Sequence, residues 1–387
     1  MFDIIIVGSG FCGAVISKLA SDNGKKVLLI EKRKAVGGNM RDRIGSNGVI
    51  VHLYGPHIFH TEDDEVYEFV SQNGNWYNYK VTYAVDIDGR CLDAPFGFHT
   101  IENLYDSLEA EMLKEILIKS YPDRDSITIL ELLDNRNPRI HAFAEFLFQK
   151  NYVPYAQKQW NLPPEKLDKS VIGRMPIIFE KRKYYFNVKH ELLPVGGYSL
   201  FFEKMLKQSN IKIELNSDAS KRINANFNDN ELYLDGVKVS CPLVYTGRID
   251  ELLFSTKEAL PFRSLRFDYN SFDREKIQNT AIMTFPQKYD YLRVTDYNQL
   301  MEKPGKKTTV SYEYPVAYNA NEQGLEPYYP ILTEENIKEN ARVQERAKKF
   351  RNLFPCGRLA DYKYYNMDQA IKRSIQVYKN IESIYWK

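Results

Sequence analysis

The stretch from Phe2 to Lys32, FDIIIVGSGFCGAVISKLASDNGKKVLLIEK, decides the fold. FDIIIVG is a short β-branched run of the kind that makes a buried strand. GSGFCGAVISKLASDNG follows as a glycine turn running into a helical pattern that stops at Gly24. KKVLLIEK is a second strand ending at Glu31. The result is a βαβ unit with glycines at Gly8, Gly10 and Gly13. That spacing permits a tight turn, a close backbone approach to a pyrophosphate, and tight helix–sheet packing. The helix N-terminus offers free N–H groups to phosphate oxygens, and a carboxylate at Glu31 stands where ribose hydroxyls are held. A dinucleotide-binding α/β domain is therefore expected at the front of the chain.

The glycine motif alone does not choose between FAD and NAD. EKRKAVGGNM adds a Gly37–Gly38 pair just past the acidic strand, which resembles the extension seen in two-dinucleotide-binding flavoproteins and points to FAD.

Composition bounds the rest. A chain of 387 residues can bury two or three cores. It is 43% apolar and 27% charged, ordinary for a globular protein. A net charge of +2 gives no general pull toward nucleic acid or an anionic membrane. Cys12, Cys91, Cys241 and Cys356 are scattered without CxxC spacing, which argues against a zinc site or a disulfide framework and fits a reducing cytoplasm. MFDIIIVGSG has no basic leader region and is expected not to be a signal peptide; no segment approaches the ~20 apolar residues of a membrane span. The 28 Tyr and 21 Phe weakly favour a ring-bearing ligand.

Further along, residues 79–96 alternate around an Asp88–Gly89 turn and predict a hairpin. Residues from about 100 to 160 turn helical. Residues 210–216 and 231–246 return to short strands, and 262–315 hold alternating runs expected to form an antiparallel sheet. NMDQAIKRSIQVYKNIESIYW is an amphipathic helix, and KPGKK at 303–307 a solvated turn. GPHIFHT, Gly55–Thr61, puts His57 and His60 in an H-x-x-H spacing. That spacing can supply two metal ligands on one helical turn, but zinc generally wants three or four, and no third appears at a recognisable spacing.

In order along the chain, VGSGFCGAV, EKRKAVGGN, YGPHIFHT, KQW, PVGGY, EPYYP and GRLADYKYYNMDQAI resemble the bacterial UDP-galactopyranose mutases. The resemblance runs from residue 1 to about 380 and implies an FAD enzyme with no net redox. In the family, reduced flavin N5 attacks the anomeric carbon and expels UDP. The covalent adduct lets the pyranose open and reclose as a furanose, one hard isomerisation becoming several easier steps. By this resemblance Arg174, on a mobile lid, and Arg293 hold the diphosphate, a role that suits guanidinium. Tyr329 and Tyr364 bond the same group, Tyr185 stacks on uracil, and Tyr155 and Trp160 lie near nucleotide and sugar. The cofactor set is Gly8, Gly10, Cys12, Gly13, Glu31, Lys32, Gly38, Asn39, Pro56, His57, Arg358, Tyr365, Asn366, Met367, Asp368, Gln369 and Ala370, with Arg263 a further arginine near the flavin. His60 is placed at the reactive edge, and no metal is implied.

Departures from the family pattern gather on the sugar side. Asn366 stands where an Asp is usual, FQKNYVP carries what reads as a short insertion, and Tyr79 and Met283 or Thr284 replace expected asparagines. The second aromatic at uracil stays open between Phe148 and Tyr152. UDP-N-acetylgalactosamine and dTDP-fucose are therefore alternatives to UDP-galactose. A flavin oxidase of the same superfamily and a non-enzymatic binding protein are competing readings. The expected architecture is an FAD-binding Rossmann-like α/β domain (1–78, 195–250, 345–387), a helical insertion domain (97–170), and an antiparallel β-sheet domain (79–96, 171–194, 251–344). The resemblance further implies a cytoplasmic enzyme of surface polysaccharide synthesis and a homodimer.

Overall fold

The computed structural model describes residues 2–254 and 260–386. Residues 255–259, inside the segment 251–344 expected with the sheet, lie outside that description, as do the end residues 1 and 387 of the expected flavin domain.

Strand Ile4–Val7, helix Phe11–Asp22 and strand Val27–Ile30 form the predicted βαβ unit. These strands sit inside a five-stranded parallel sheet, in the order Ile211–Glu214, Val27–Ile30, Ile4–Val7, Leu243–Tyr245, Leu353–Pro355. Every residue of Ile4–Val7 is buried because both faces are covered. Ile4 and Ile6 join one core with Phe11–Asp22 and the C-terminal helix Met367–Tyr385, and Ile5 and Val7 join another on the opposite face. That two-sided burial explains an unbroken apolar run in place of alternation. Gly8 leaves the first strand at φ +90°, a left-handed backbone suited to glycine.

A seven-stranded sheet stands beside it, in the order Tyr329–Pro330, Phe262–Phe272, Thr308–Ala317, Arg293–Asp296, Ile282–Thr284, Tyr83–Ile87, Arg90–Asp93. The Asp88–Gly89 hairpin is present, with both turn residues at positive φ. The sheet is antiparallel except that Ile282–Thr284 runs parallel to Tyr83–Ile87. The segment 171–194, expected with this sheet, divides elsewhere. Ile177–Ile178 pairs with Ser126–Ile127 beside the helices, and His190–Pro194 pairs with Phe59–Thr61 and Trp76–Asn78. Leu192 and Leu193 are buried in the core of the βαβ unit, so burial of two apolar neighbours overrides their sequence neighbourhood. The helices between Phe98 and Trp160 enclose a separate core containing Phe96, Phe143 and Leu147. The FQKNYVP stretch holds a π-helical turn over Phe148–Tyr152 between helices Pro138–Leu147 and Val153–Trp160.

Candidate active site

A cavity of ≈ 900 Å³ opens between the large sheet, the helices around Val153–Trp160, the loop at 56–60 and the segment 358–369. Pro56, His57, His60, Tyr155, Trp160, Arg174, Tyr185, Arg293, Tyr329, Arg358, Tyr364, Asn366, Met367 and Gln369 all line it. These residues span more than 300 positions of sequence, and the fold brings them to one surface.

Cations and phenols dominate one wall. The Arg174 guanidinium lies 3.4 Å from the centre of the Tyr364 ring and donates from Nη2 to Asn366 Oδ1 at 3.3 Å. Arg358 lies over Tyr364 and Tyr329 at 4.6 and 5.2 Å and donates to the carbonyls of Tyr328 and Tyr365. Tyr329 and Tyr364 are parallel, 5.9 Å apart, and Trp160 meets Tyr329 edge-on at 5.8 Å. Burial raises the Tyr364 hydroxyl, yet Arg174 and Arg358 more than offset it and the net shift is downward. Tyr155 and Tyr329 are pushed up, chiefly by burial. Arg293 reaches this wall from its strand and is paired at 3.5 Å with Glu313, whose two oxygens are buried without a hydrogen bond. Guanidiniums with phenol donors around them supply the chemistry that an anion site requires.

Pro56, His57, Ile58 and His60 of the loop 55–61 line the cavity too. Phe59–Thr61 is a strand, so His57 and His60 do not share a helical turn. The His60 ring stacks on Phe186 with centroids 3.8 Å apart, and Nδ1 lies 3.2 Å from the Ile58 carbonyl. A carbonyl only accepts, so Nδ1 carries the proton and Nε2 keeps a free lone pair. Burial lowers His60 and His57 below the ordinary imidazole value, so both rings are neutral at pH 7. His57 Nδ1 is buried with no partner. Among the described residues no cluster of three or more His, Cys, Asp or Glu could hold a metal.

The glycine turn packs against Gly38, Gly357 and Ala370. No side chain caps helix Phe11–Asp22 and no acid sits in its first turn, so its amides stay available. An added Cβ at Gly13 would overlap the Gly8 carbonyl oxygen, while Gly10 faces the Gly38 backbone. Glu31, 4% exposed, accepts from Ser9 N at 2.9 Å and Ser9 Oγ at 2.6 Å. Cys12 contacts the Ala370 carbonyl and lies against Gly357, which joins the turn to the Gly357–Arg358 loop and the C-terminal helix. Tyr365 donates to Asp361, and Asp368 keeps one buried oxygen without a partner. Lys32 is engaged with Glu326, and Asn39 accepts from Arg33.

Some expectations are corrected here. Arg263 is held away from the cavity. Its buried guanidinium donates to the carbonyls of Gln159 and Lys158, closing the end of helix Val153–Trp160, whose last carbonyls lack helical partners. Tyr79 donates to Gln299, Thr284 is buried against Ala84, and neither these nor Met283 lines the cavity. Val81, Tyr83 and Ile282 do so instead; alternation sets Met283 on the face opposite Ile282, and Tyr79, between strands Trp76–Asn78 and Tyr83–Ile87, is turned toward Gln299. Tyr152 lines the cavity and Phe148 does not, but the Tyr152 hydroxyl is committed to the Met175 carbonyl at 2.7 Å. The sequence reading passed over Asn151 and Gln159. Both are buried and both line the cavity, and Gln159 Oε1 has no partner. The signal is in the spacing, since 151, 155 and 159 recur every four residues from the π-helical turn into the helix that bears Tyr155.

Comparison with known proteins accords with this geometry. Residues 150–364, more than half of the chain, match the family described as UDP-galactopyranose mutase, and residues 6–72 match the NAD(P)-binding Rossmann-like domain. The chain is 33% identical to a UDP-galactopyranose mutase of Mycoplasma pneumoniae over 97% of this chain and 94% of that protein. It is 29% identical to a dTDP-fucopyranose mutase of Escherichia coli over 97% of each. The crystal structure of a reduced UDP-galactopyranose mutase superposes with a TM-score of 0.73 at 16% identity, covering 100% of this chain and 97% of that one. The chain belongs to the UDP-galactopyranose mutase family.

Proposed function

We propose that the chain is a flavin-dependent isomerase that interconverts the pyranose and furanose forms of a nucleoside-diphosphate sugar, with UDP-galactose as first substrate. One observation carries the reading: Arg174 and Arg293 share a cavity with Tyr155, Tyr329, Tyr364 and the His57–His60 loop. An amine-oxidising flavoenzyme has no use for two guanidiniums and three phenols on its substrate wall.

The residues present suit FAD. Gly10 leaves room for a pyrophosphate at the helix N-terminus, Gly8 and Gly13 let the turn close against Thr246 and the Gly8 carbonyl, Glu31 is a buried carboxylate suited to ribose hydroxyls, and His57 Nδ1 is a buried atom still lacking a partner. Gly38, Cys12, Arg358 and residues 365–370 border the same region; Lys32 and Asn39 serve it from its margin. Bound in its reduced form, FAD supplies a nucleophile that allows ring isomerisation without net oxidation.

The chain's own residues do the rest. Arg174 and Arg293 bind the diphosphate and stabilise the charge it gains when its bond to the sugar breaks. Tyr329 and Tyr364 donate hydrogen bonds to it. Tyr185, already against Tyr83 at 4.9 Å, presents a ring to the base, and Tyr155 and Trp160 border nucleotide and sugar. His60, neutral, accepts from a sugar hydroxyl at Nε2. Arg174 is exposed at the cavity mouth, where its segment closes over bound ligand and excludes water.

A second reading keeps the chemistry and changes the sugar. Val81 and Ile282 give that wall an apolar patch, which suits the methyl of a 6-deoxy sugar, and one relative is a dTDP-fucopyranose mutase. UDP-N-acetylgalactosamine is the other alternative. Turnover of UDP-galactose, UDP-N-acetylgalactosamine and dTDP-fucose by the reduced protein separates them; activity confined to UDP-galactose removes the other two. Among the described residues no helix is long and apolar enough to cross a membrane. Four free thiols support a cytoplasmic setting, and a homodimer serving surface polysaccharide synthesis completes the proposal, to be checked by sedimentation.

A further inference from the structure

Lys158 does not line the cavity, yet it sits between two residues that do, Tyr155 and Trp160, on helix Val153–Trp160. Its ammonium lies 2.6 Å from the Phe285 carbonyl oxygen, 2.8 Å from that of Lys288, 3.0 Å from that of Tyr289 and 3.4 Å from that of Tyr291. An ammonium has three protons to donate, so the shorter three contacts use them all and the fourth is electrostatic. The four carbonyls belong to the loop joining strand Ile282–Thr284 to strand Arg293–Asp296. Four carbonyl dipoles aimed at one point repel each other unless a cation fills it. Tyr289 holds φ +57° within that loop, a costly conformation for a tyrosine that the surrounding contacts must maintain. Arg293 is the first residue of the strand the loop feeds.

We infer that Lys158 is a positioning residue for Arg293: its ammonium fills a cage of four loop carbonyls and so fixes Arg293 against the helix that carries Tyr155 and Trp160. The inference rests on Arg293 binding the diphosphate. Arg263 ties the same helix to strand Phe262–Phe272, which pairs with Tyr329–Pro330. Two cations thus triangulate three elements of the cavity, one by donating into the helix end and the other by reaching out from it. Arginine cannot replace Lys158, because a planar fork does not fit a point on which four acceptors converge.

The test compares Lys158→Met, which keeps the stem and removes the charge, with Lys158→Ala, which leaves room for a small amine. In flavin-loaded protein, Lys158→Met should bind UDP about tenfold or more weakly, with a matching rise in KM for the nucleotide sugar. Amides of 285–293 should exchange faster in both variants. n-Propylammonium should restore Lys158→Ala saturably, whereas tetramethylammonium, which has no proton to donate, should not. UDP affinity of folded Lys158→Met within twofold of wild type, or a loss in Lys158→Ala that n-propylammonium leaves untouched, overturns the inference. Failure of the wild type itself to bind UDP would overturn the diphosphate reading; the cage is then decided by the exchange data alone, and unchanged exchange at 285–293 refutes it.

Discussion

Substituting alanine at Gly10 and at Gly13 separates two demands that the glycine motif otherwise confounds. Gly10 has φ −69° and ψ −173°, which alanine adopts freely. An added Cβ there meets only Gly38 Cα, at 3.8 Å, an ordinary van der Waals distance. The apo-protein of Gly10→Ala should therefore unfold within about 0.5 kcal/mol of wild type. The methyl would project where a pyrophosphate approaches the helix N-terminus, so FAD affinity should fall by about 1–3 kcal/mol, roughly fivefold to 150-fold in Kd. At Gly13 the added Cβ overlaps the Gly8 carbonyl oxygen and comes within 3.2 Å of Ile6 Cγ2. Neither neighbour can yield, since one is backbone in the turn and the other a buried strand residue. Gly13→Ala should lose about 1–3 kcal/mol of apo stability, or fail to fold. The assay is denaturant unfolding of apo-protein beside fluorescence titration with FAD. Wild-type FAD affinity in Gly10→Ala, or equal destabilisation by both changes, would refute this account of the cofactor cradle.

Three further outcomes follow from the site. Arg174→Ala should cost about 10²–10³ in kcat, roughly 3–4 kcal/mol, and Arg174→Lys should recover only part of it because the bidentate fork is lost; steady-state kinetics on the reduced enzyme decide. Burial depresses His52 to about 4, with Asp42 opposing, so the unfolded chain binds a proton that the native state refuses as pH falls below about 6.5. Stability is then complete above pH 6.5 and declines toward pH 4, by up to about 3 kcal/mol from this residue. His52→Asn, which can still accept from His57 N, should flatten that slope in urea midpoints measured against pH. His60→Ala should reduce turnover while EDTA leaves wild type unchanged; loss of activity on chelation would restore the metal reading of the two histidines.

The legible parts of the molecule are those encoded locally. The βαβ unit follows from residues within thirty positions of one another, since strand, turn, helix and second strand each leave a nearby periodicity or a glycine. The Asp88–Gly89 hairpin is legible for the same reason. The parallel pairing of Ile282–Thr284 with Tyr83–Ile87 is not, because nothing in either run specifies a partner 200 residues away. Sequence neighbourhood places His190–Pro194 with the large sheet, but Leu192 and Leu193 are buried against the βαβ core. Site residues divide similarly. The family resemblance nominated Arg174, Arg293 and Tyr364, and the fold gathers them on one cavity. It could not reveal that Arg263 and Lys158 are spent on backbone carbonyls, since a cation's partner is set by tertiary packing and leaves no spacing in the sequence. Nor could it decide which of Tyr79, Val81 and Tyr83 lines the cavity, since the three share one alternation parity and Tyr79 is drawn off by the Gln299 carbonyl, 220 positions away.

The central claim is an isomerisation that needs a reduced flavin and consumes no reductant. Purified protein reduced with dithionite under anaerobic conditions and given UDP-galactose, UDP-N-acetylgalactosamine or dTDP-fucose tests it most directly, with products resolved by NMR. The account predicts a furanose isomer from at least one of them over many turnovers per flavin, and none from oxidised protein. Fully flavin-loaded, reduced protein that yields no furanose from any of the three, or that consumes oxygen with an amine substrate instead, would contradict it.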